Sequence, residues 1–168
     1  MRYYPAALAL SLALAMTASV SLGQERVAGD PVALALIADG HAALQAGDAQ
    51  AAIDAYEAAL AVDPAFTPIY LELAEAARSI GLQGKAIRYY RTAIERNPRD
   101  FAAIAGEGAA LVERGALDRA RANLERLESQ CGSGCVETRT LAAKIDAGAD
   151  KAILAAEAVT PDATVTQN

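Results

Sequence analysis

The two cysteines and the one histidine are the residues best suited to chemistry. Cys131 and Cys135 are the only cysteines and His41 is the only histidine in a chain of 168 residues. Two glycines lie between the cysteines, and so flexible a loop can bring their Cα atoms within the roughly 4.4–6.8 Å that a disulfide requires. The spacing therefore predicts a disulfide that fixes the angle between two consecutive helices.

Two other roles for the cysteines stay open. A thiol-redox pair is one, because Cys135 lies near a predicted helix start, where the helix dipole lowers a thiol pKa. The spacing C-x-x-x-C, however, differs from the C-x-x-C of thiol oxidoreductases. Metal binding by both cysteines with His41 is the other, and only residue type supports it. No acid or nucleophile lies at a useful spacing from His41, so no catalytic residue is predicted.

The composition favours an acidic, helical protein without a cofactor. Alanine makes up about a quarter of the chain and favours helices over strands. The 15 basic against 21 acidic residues give a net charge of −6, which argues against nucleic-acid binding. The sequence contains no glycine-rich phosphate loop, zinc signature or Ser/His/Asp set. We therefore predict a protein that is not an enzyme and binds neither metal nor cofactor.

The first 23 residues have the pattern of a secretory signal peptide. Arg2 precedes an apolar stretch at residues 6–16, and small residues follow up to a predicted cleavage site before Gln24. The sequence thus predicts a periplasmic or secreted protein with no membrane insertion after cleavage. A retained membrane anchor is the alternative, although the apolar run is shorter than the ~20 residues that span a bilayer.

The sequence repeats with a period of 34 residues. Glycines recur at 47, 81 and 115, alanines at 52, 86 and 120, and prolines at 64 and 98. Each unit contains two amphipathic helices separated by its glycine, and the first stripe of unit two comprises Ile69, Tyr70, Leu73, Ala77 and Ile80. Asp30, Thr67 and Asp100 are predicted N-caps of the first helices.

These positions resemble the tetratricopeptide repeat family, whose period is also 34 residues. The resemblance implies an all-α, right-handed solenoid of three helix pairs at residues 33–66, 67–100 and 101–134. A linker at 24–32 precedes them. A capping-helix region follows at 135–159, with Val136, Leu141, Ala142 and Ile145 on one face, and then a disordered tail at 160–168.

The resemblance also implies a concave groove lined by the first helix of each pair. The positions carried over are Leu34, Ile37, His41, Leu44, Leu71, Glu75, Arg78, Ala105, Ala109, Val112 and Glu113. The Lys and Asn with which one branch of the family grips a peptide carboxylate are replaced by Ile37 and His41. The mostly apolar groove therefore favours an amphipathic helix or peptide of another protein. The alternatives are a groove filled by the linker or C-terminal helix, and self-association into a homodimer.

Several charged residues receive structural interpretations. Asp39 is predicted to lie exposed at the edge of the first unit, whereas Glu107 is a candidate for partial burial. We expect Arg91 and Glu95 to pair along one helix. The basic run in unit two is predicted to be a solvated outer face, with an acidic partner as the alternative; its members are Lys85, Arg88, Arg91, Arg96 and Arg99.

Overall fold

The structure, a computed structural model, describes residues 29–158, so the predicted signal peptide and tail lie outside the described residues. Within this range there are seven helices and no strand, which confirms the all-α prediction. The helices are α1 (Pro31–Gln45), α2 (Ala49–Val62), α3 (Pro68–Ser79), α4 (Gln83–Arg96), α5 (Phe101–Glu113), α6 (Leu117–Cys131) and α7 (Val136–Ala158).

The helices form three antiparallel pairs that stack side by side, with α7 after the third pair. Helix α1 begins at Pro31, two residues inside the segment predicted as linker. Among residues 29–158, no helix is both long enough and apolar enough to cross a bilayer.

Aspartate side chains cap three of the helices. Asp30, Asp48 and Asp100 each accept a hydrogen bond from a backbone N–H in the first turn of the helix that follows. The caps at Asp30 and Asp100 confirm the prediction. Thr67 does not behave as predicted: its side chain makes no capping bond, because its backbone is already helical (φ −53°, ψ −37°) rather than extended.

Glycine makes the sharp turn inside each helix pair. Gly47, Gly81 and Gly115 have φ of +81°, +77° and +77°, a conformation that strains any residue with a Cβ. The recurrence of the same angle at the same register confirms the 34-residue unit and its helix boundaries.

Small residues bring the helices together around two buried tyrosines. The ring of Tyr56 lies so close to Gly40 that a Cβ there would be 2.3 Å from a ring carbon, and Tyr90 lies equally close to Gly106. Both tyrosines are fully buried. The three predicted crossing positions are also fully buried: Ala52, Ala86 and Ala120.

Two residues assigned to buried stripes are exposed. Ile80 is 43% exposed and Val136 is 63% exposed. Ile80 follows the last residue of α3 and Val136 is the first residue of α7, so each extends past the turns that pack on a neighbour. The helical period identifies a face but not where the contact on that face ends.

Helix α7 caps the array as one continuous helix. Its buried Leu141 and Ile145 cover the third pair. Gly108 of α5 faces Leu141, and Gly148 of α7 faces Val112, where an added Cβ would lie 2.6 Å from a side-chain carbon in each case. Helix α7 therefore packs on α5 as well as on α6.

Arginines tie successive pairs together. Arg96 donates a hydrogen bond to the carbonyl oxygen of Pro64, and Arg126 donates one of 2.8 Å to the carbonyl of Pro98. The guanidinium of Arg96 also stacks 4.6 Å from the ring centroid of Tyr70. Each tie joins a second helix to the end of the preceding pair.

The basic run of unit two was predicted to be a solvated outer face. The structure contradicts this prediction for part of the run. Lys85 pairs with Glu57 of α2 at 2.8 Å, and this contact together with the Tyr89 hydroxyl lowers the pKa of the Glu57 carboxyl. Arg96 makes the tie described above, and Arg91 pairs across to α5 (below). Arg88 and Arg99 are exposed, and their side chains make neither an ion pair nor a hydrogen bond in the described part of the chain.

Candidate functional site

The first helices of the three pairs, α1, α3 and α5, form one surface, here called the groove face. Polar side-chain contacts join these helices: His41 lies 3.0 Å from Glu72, and Arg78 forms an ion pair with Glu113 at 2.9 Å. His41 also packs edge-on against Tyr56, with ring centroids 5.8 Å apart. These contacts hold neighbouring first helices in register.

The part of the groove face on α1 and α3, the open half, presents apolar side chains to solvent. Leu34 is 42% exposed, and Ile37, Leu44 and Leu71 are half-buried. His41 and Glu75 are exposed beside them. The predicted groove residues of units one and two are thus brought together on one accessible surface.

The part on α5, the covered half, differs from the open groove that was expected. Ala109 is only 4% exposed, and Ala105 and Val112 are half-buried. Helix α7 passes over these residues, since Val112 contacts Gly148. The C-terminal helix therefore fills this end of the groove, while the open half has no such cover among the described residues.

Two adjoining cavities lie where α7 meets the groove face. The smaller, of about 150 Å³, lies between Arg78 and Lys144. The larger, of about 630 Å³, lies between α5 and α7 and is here called the capping cleft. Ala109 and Lys144 line both cavities, so the two lie side by side.

Burial perturbs the two core tyrosines beneath the groove face. Burial, with Glu72 in support, raises the pKa of Tyr56 to about 12. Burial, with Glu75 in support and Arg78 opposing, raises the pKa of Tyr90 to about 12. Neither hydroxyl has a hydrogen-bond partner among the described residues. Their environment favours neutral, space-filling phenols rather than acid–base groups.

The carboxylate of Glu107 is buried but fully engaged. It is 7% exposed, accepts a 2.7 Å bond from Arg91 and a 3.0 Å bond from Asn123, and so links three helices. The burial of Glu107 confirms the expectation, whereas the predicted pairing of Arg91 with Glu95 is wrong. A tertiary partner on α5 competes successfully with the partner along the same helix. Asp39 is exposed, as expected.

The cysteines lie at the joint between α6 and α7. Their Cα atoms are 5.8 Å apart, and the structure joins the two sulfur atoms. Among the described residues, the group of side chains close enough to share a metal ion consists of Cys131, Cys135 and Glu137, and it does not include His41. The buried Thr138 hydroxyl donates to the carbonyl of Gly132 and fixes the start of α7.

Sequence reasoning missed the contribution of α7 to the site. Lys144, Lys151 and Gly148 line the capping cleft, and Glu72 supplies the partner of His41. These residues lie outside the repeat or at positions that the family pattern leaves variable. An i, i+7 pair of lysines on a capping helix is the one sequence signal that points to them.

A family comparison identifies the repeats. Residues 35–66 and 67–100 each match the family model described as tetratricopeptide repeat. No curated protein matches the sequence significantly. The first two helix pairs are therefore tetratricopeptide repeats, and the third pair continues the same architecture.

Solved structures with the same fold support this assignment. The Sgt2 TPR domain from Aspergillus fumigatus is 22% identical, with a TM-score of 0.65, over 87% of this chain and 95% of that one. The first TPR of Spaghetti (RPAP3), bound to the HSP90 peptide SRMEEVD, is 24% identical, with a TM-score of 0.62, over 71% and 94%. YrrB, a TPR protein with an unusual peptide-binding site, is 19% identical, with a TM-score of 0.53, over 92% and 85%.

The fold and site together define a class of protein. The described residues form an α-solenoid of stacked helix pairs that presents side chains on a groove face. More specifically, the three helix pairs with their C-terminal capping helix have the fold of tetratricopeptide-repeat proteins, and the first two pairs match that family's model.

Proposed function

We propose that this protein binds a peptide or amphipathic helix of another protein in the open half of its groove face. The observation that carries the proposal is the exposure of apolar side chains on α1 and α3, above all Leu34, Ile37 and Leu71. Apolar anchors on adjacent helices suit a segment that inserts its own side chains at helical spacing. Structural neighbours with the same fold bind peptides, as their names state.

Site-directed photocrosslinking tests the groove. A photoreactive residue in place of Ile37 is expected to capture one or a few proteins, and the same residue in place of the exposed Arg88 on α4 is expected to capture none of them. Leu71→Glu places a charge in the apolar surface and should abolish capture from position 37. If capture survives Leu71→Glu, or is equal from position 88, the open half is not the binding site.

We further propose that the protein works in the cell envelope as a scaffold or assembly factor. The support is the signal-peptide pattern of residues 1–23 together with a cysteine pair that favours an oxidising compartment. Mass spectrometry of the protein from fractionated cells should show a mature chain that begins at Gln24. A chain that keeps Met1 and stays in the cytoplasmic fraction would contradict this proposal.

Self-association is the second candidate function. Helix α1 has no neighbour on its outer side among the described residues. It exposes two large apolar side chains near its start, Val32 (58%) and Leu34 (42%). Light scattering across a concentration series would then show a dimer that Val32→Glu converts to monomer. A protein that is monomeric at every concentration excludes this function.

A further inference from the structure

The capping cleft combines an apolar floor with a basic rim. Ala109, Val112 and Ala147 provide the floor, and Lys144 and Lys151 line the side that α7 contributes. The cleft has a volume of about 630 Å³, enough for several side chains of a bound segment. Its composition is therefore that of a site for a segment carrying both apolar and negatively charged groups.

The two lysines are aligned and free to interact. They are seven residues apart on one helix, so they lie on the same side with an axial separation of roughly 10 Å. Both are exposed, and neither forms an ion pair within the described part of the chain. Glu113, the acidic residue on the same rim, is already held by Arg78 at 2.9 Å.

The charge of the cleft contrasts with that of the whole protein. The chain carries a net charge of −6, so its overall charge disfavours the approach of an acidic segment. Two unpaired cations beside an apolar floor give such a segment one place where charge and hydrophobic contact favour it together. Arg88 and Arg99 are exposed arginines of unit two that do not line the capping cleft.

We propose that the capping cleft binds an acidic segment of the partner protein, with two carboxylates about 10 Å apart that meet Lys144 and Lys151. This inference rests on the proposed function, because it takes the segment in the cleft to belong to the same partner that binds the open half. A polyproline segment places residues three apart on one side at roughly 9 Å, which matches the lysine spacing. Apolar residues of the segment then lie on Val112 and Ala147.

A labelled peptide tests this directly. The probe is fluorescein-Glu-Pro-Leu-Glu-Pro-Leu-amide, and its control replaces both Glu residues by Gln. Fluorescence anisotropy with the full chain should show saturable binding of the Glu peptide and about tenfold weaker binding of the Gln peptide, as two partly exposed ion pairs allow. Raising the salt concentration should reduce this difference.

Matched variants locate the binding. Lys144→Gln/Lys151→Gln should weaken the Glu peptide about tenfold, whereas Arg88→Gln/Arg99→Gln removes the same charge elsewhere and should leave it unchanged. In ¹H–¹⁵N spectra, the peptide should shift the amide signals of Gly115 and Gly148, which line the cleft, but not that of Gly47. Circular dichroism should show equal helix content for both double variants.

Three results would overturn the inference. The first is equal affinity for the Glu and Gln peptides. The second is a loss of affinity in the Arg88→Gln/Arg99→Gln variant and not in the lysine variant. The third is a set of nuclear Overhauser contacts between residues 159–168 and Gly148, which would show that the chain's own tail occupies the cleft. The photocrosslinking from position 37 depends on none of these results. Failure of the cleft and failure of the open half are thus distinguished.

Discussion

The open half and the covered half of the groove face are built from the same 34-residue repeat pattern, but only the covered half is packed against α7. In the open half, Leu34 of α1 is exposed, and Ile37 of α1 and Leu71 of α3 are half-buried beside it. In the covered half, α5 is rich in alanine and glycine, and its Gly108 admits Leu141 of α7. The comparison teaches that small side chains at the groove-lining positions, Ala105 and Ala109 where α1 has Ile37 and His41, accompany closure of the groove by the protein's own chain.

The largest expected effect comes from substituting two glycines that occupy the same repeat position in the two halves, Gly40 and Gly108. Gly40→Ala places a methyl group 2.3–2.8 Å from ring atoms of the fully buried Tyr56 and should cost about 2–3 kcal/mol. Gly108→Ala meets the rotatable end of Leu141 and should cost about 1 kcal/mol. Urea unfolding measures both changes in the free energy of unfolding.

Gly84→Ala is the matched control for these substitutions. Its nearest neighbour would be Arg114 at 4.0 Å, so it should leave stability unchanged or raise it by up to about 1 kcal/mol. If Gly40→Ala were as benign as Gly84→Ala, the packing of α1 against Tyr56 would not require a glycine at position 40.

Alkaline pH should destabilise both halves through their buried tyrosines. Because folding raises the pKa of Tyr56 and of Tyr90 to about 12, the folded state holds these protons where the unfolded state has lost them. Their contribution to stability is therefore complete below pH ~10 and is lost as the pH rises toward 12, by roughly 2 kcal/mol for each tyrosine. Thermal unfolding between pH 8 and 11.5 measures the slope.

Phenylalanine variants isolate each contribution. Tyr56→Phe and Tyr90→Phe remove a hydroxyl that has no partner, so neither should destabilise the protein at pH 7. Each should flatten part of the alkaline decline. An unchanged decline in the double variant would show that other groups, such as the lysines, cause it.

Loss of the cysteine pair should affect the covered half alone. Cys131→Ser/Cys135→Ser opens a very short loop and should lower stability by no more than about 2 kcal/mol. Hydrogen exchange should quicken in α7 and stay unchanged in α1–α3, because the pair lies at the joint of α6 and α7. Faster exchange throughout the chain would mean that α7 stabilises the open half as well.

The smallest effects are expected from the ion pairs that join the first helices. His41→Ala in the open half should change stability by less than about 0.5 kcal/mol, because the pair with Glu72 is largely solvated. Arg78→Ala should cost about 1 kcal/mol, since the Arg78 side chain is only 26% exposed, against 48% for His41, and lies beside the buried Tyr90. Equal losses of stability in both variants would contradict the expected difference between the two contacts.

The repeat itself was predictable because its signals are local. Glycine at 47, 81 and 115 is required by a positive φ, and Asp30 and Asp100 cap the helices that follow them. Spacing along the chain is sufficient to identify such features. The all-α solenoid and its three pairs therefore followed from the sequence.

The predictions that failed or fell short depend on contacts between distant residues. Arg91 bonds Glu107 rather than Glu95, because the buried carboxylate on α5 also needs Asn123 and a cation. The cover that α7 places over Ala109 follows from glycines at 108 and 148 that belong to different helices. No period in the sequence encodes either contact.

The arginine–proline ties between successive pairs have a mechanical consequence. Bending the solenoid at either joint requires the bond of Arg96 to Pro64, or that of Arg126 to Pro98, to break first. The curvature is thus set before any partner arrives. Under the proposed function, a bulky segment would have to break these ties to widen the groove face, so the ties favour a slender segment.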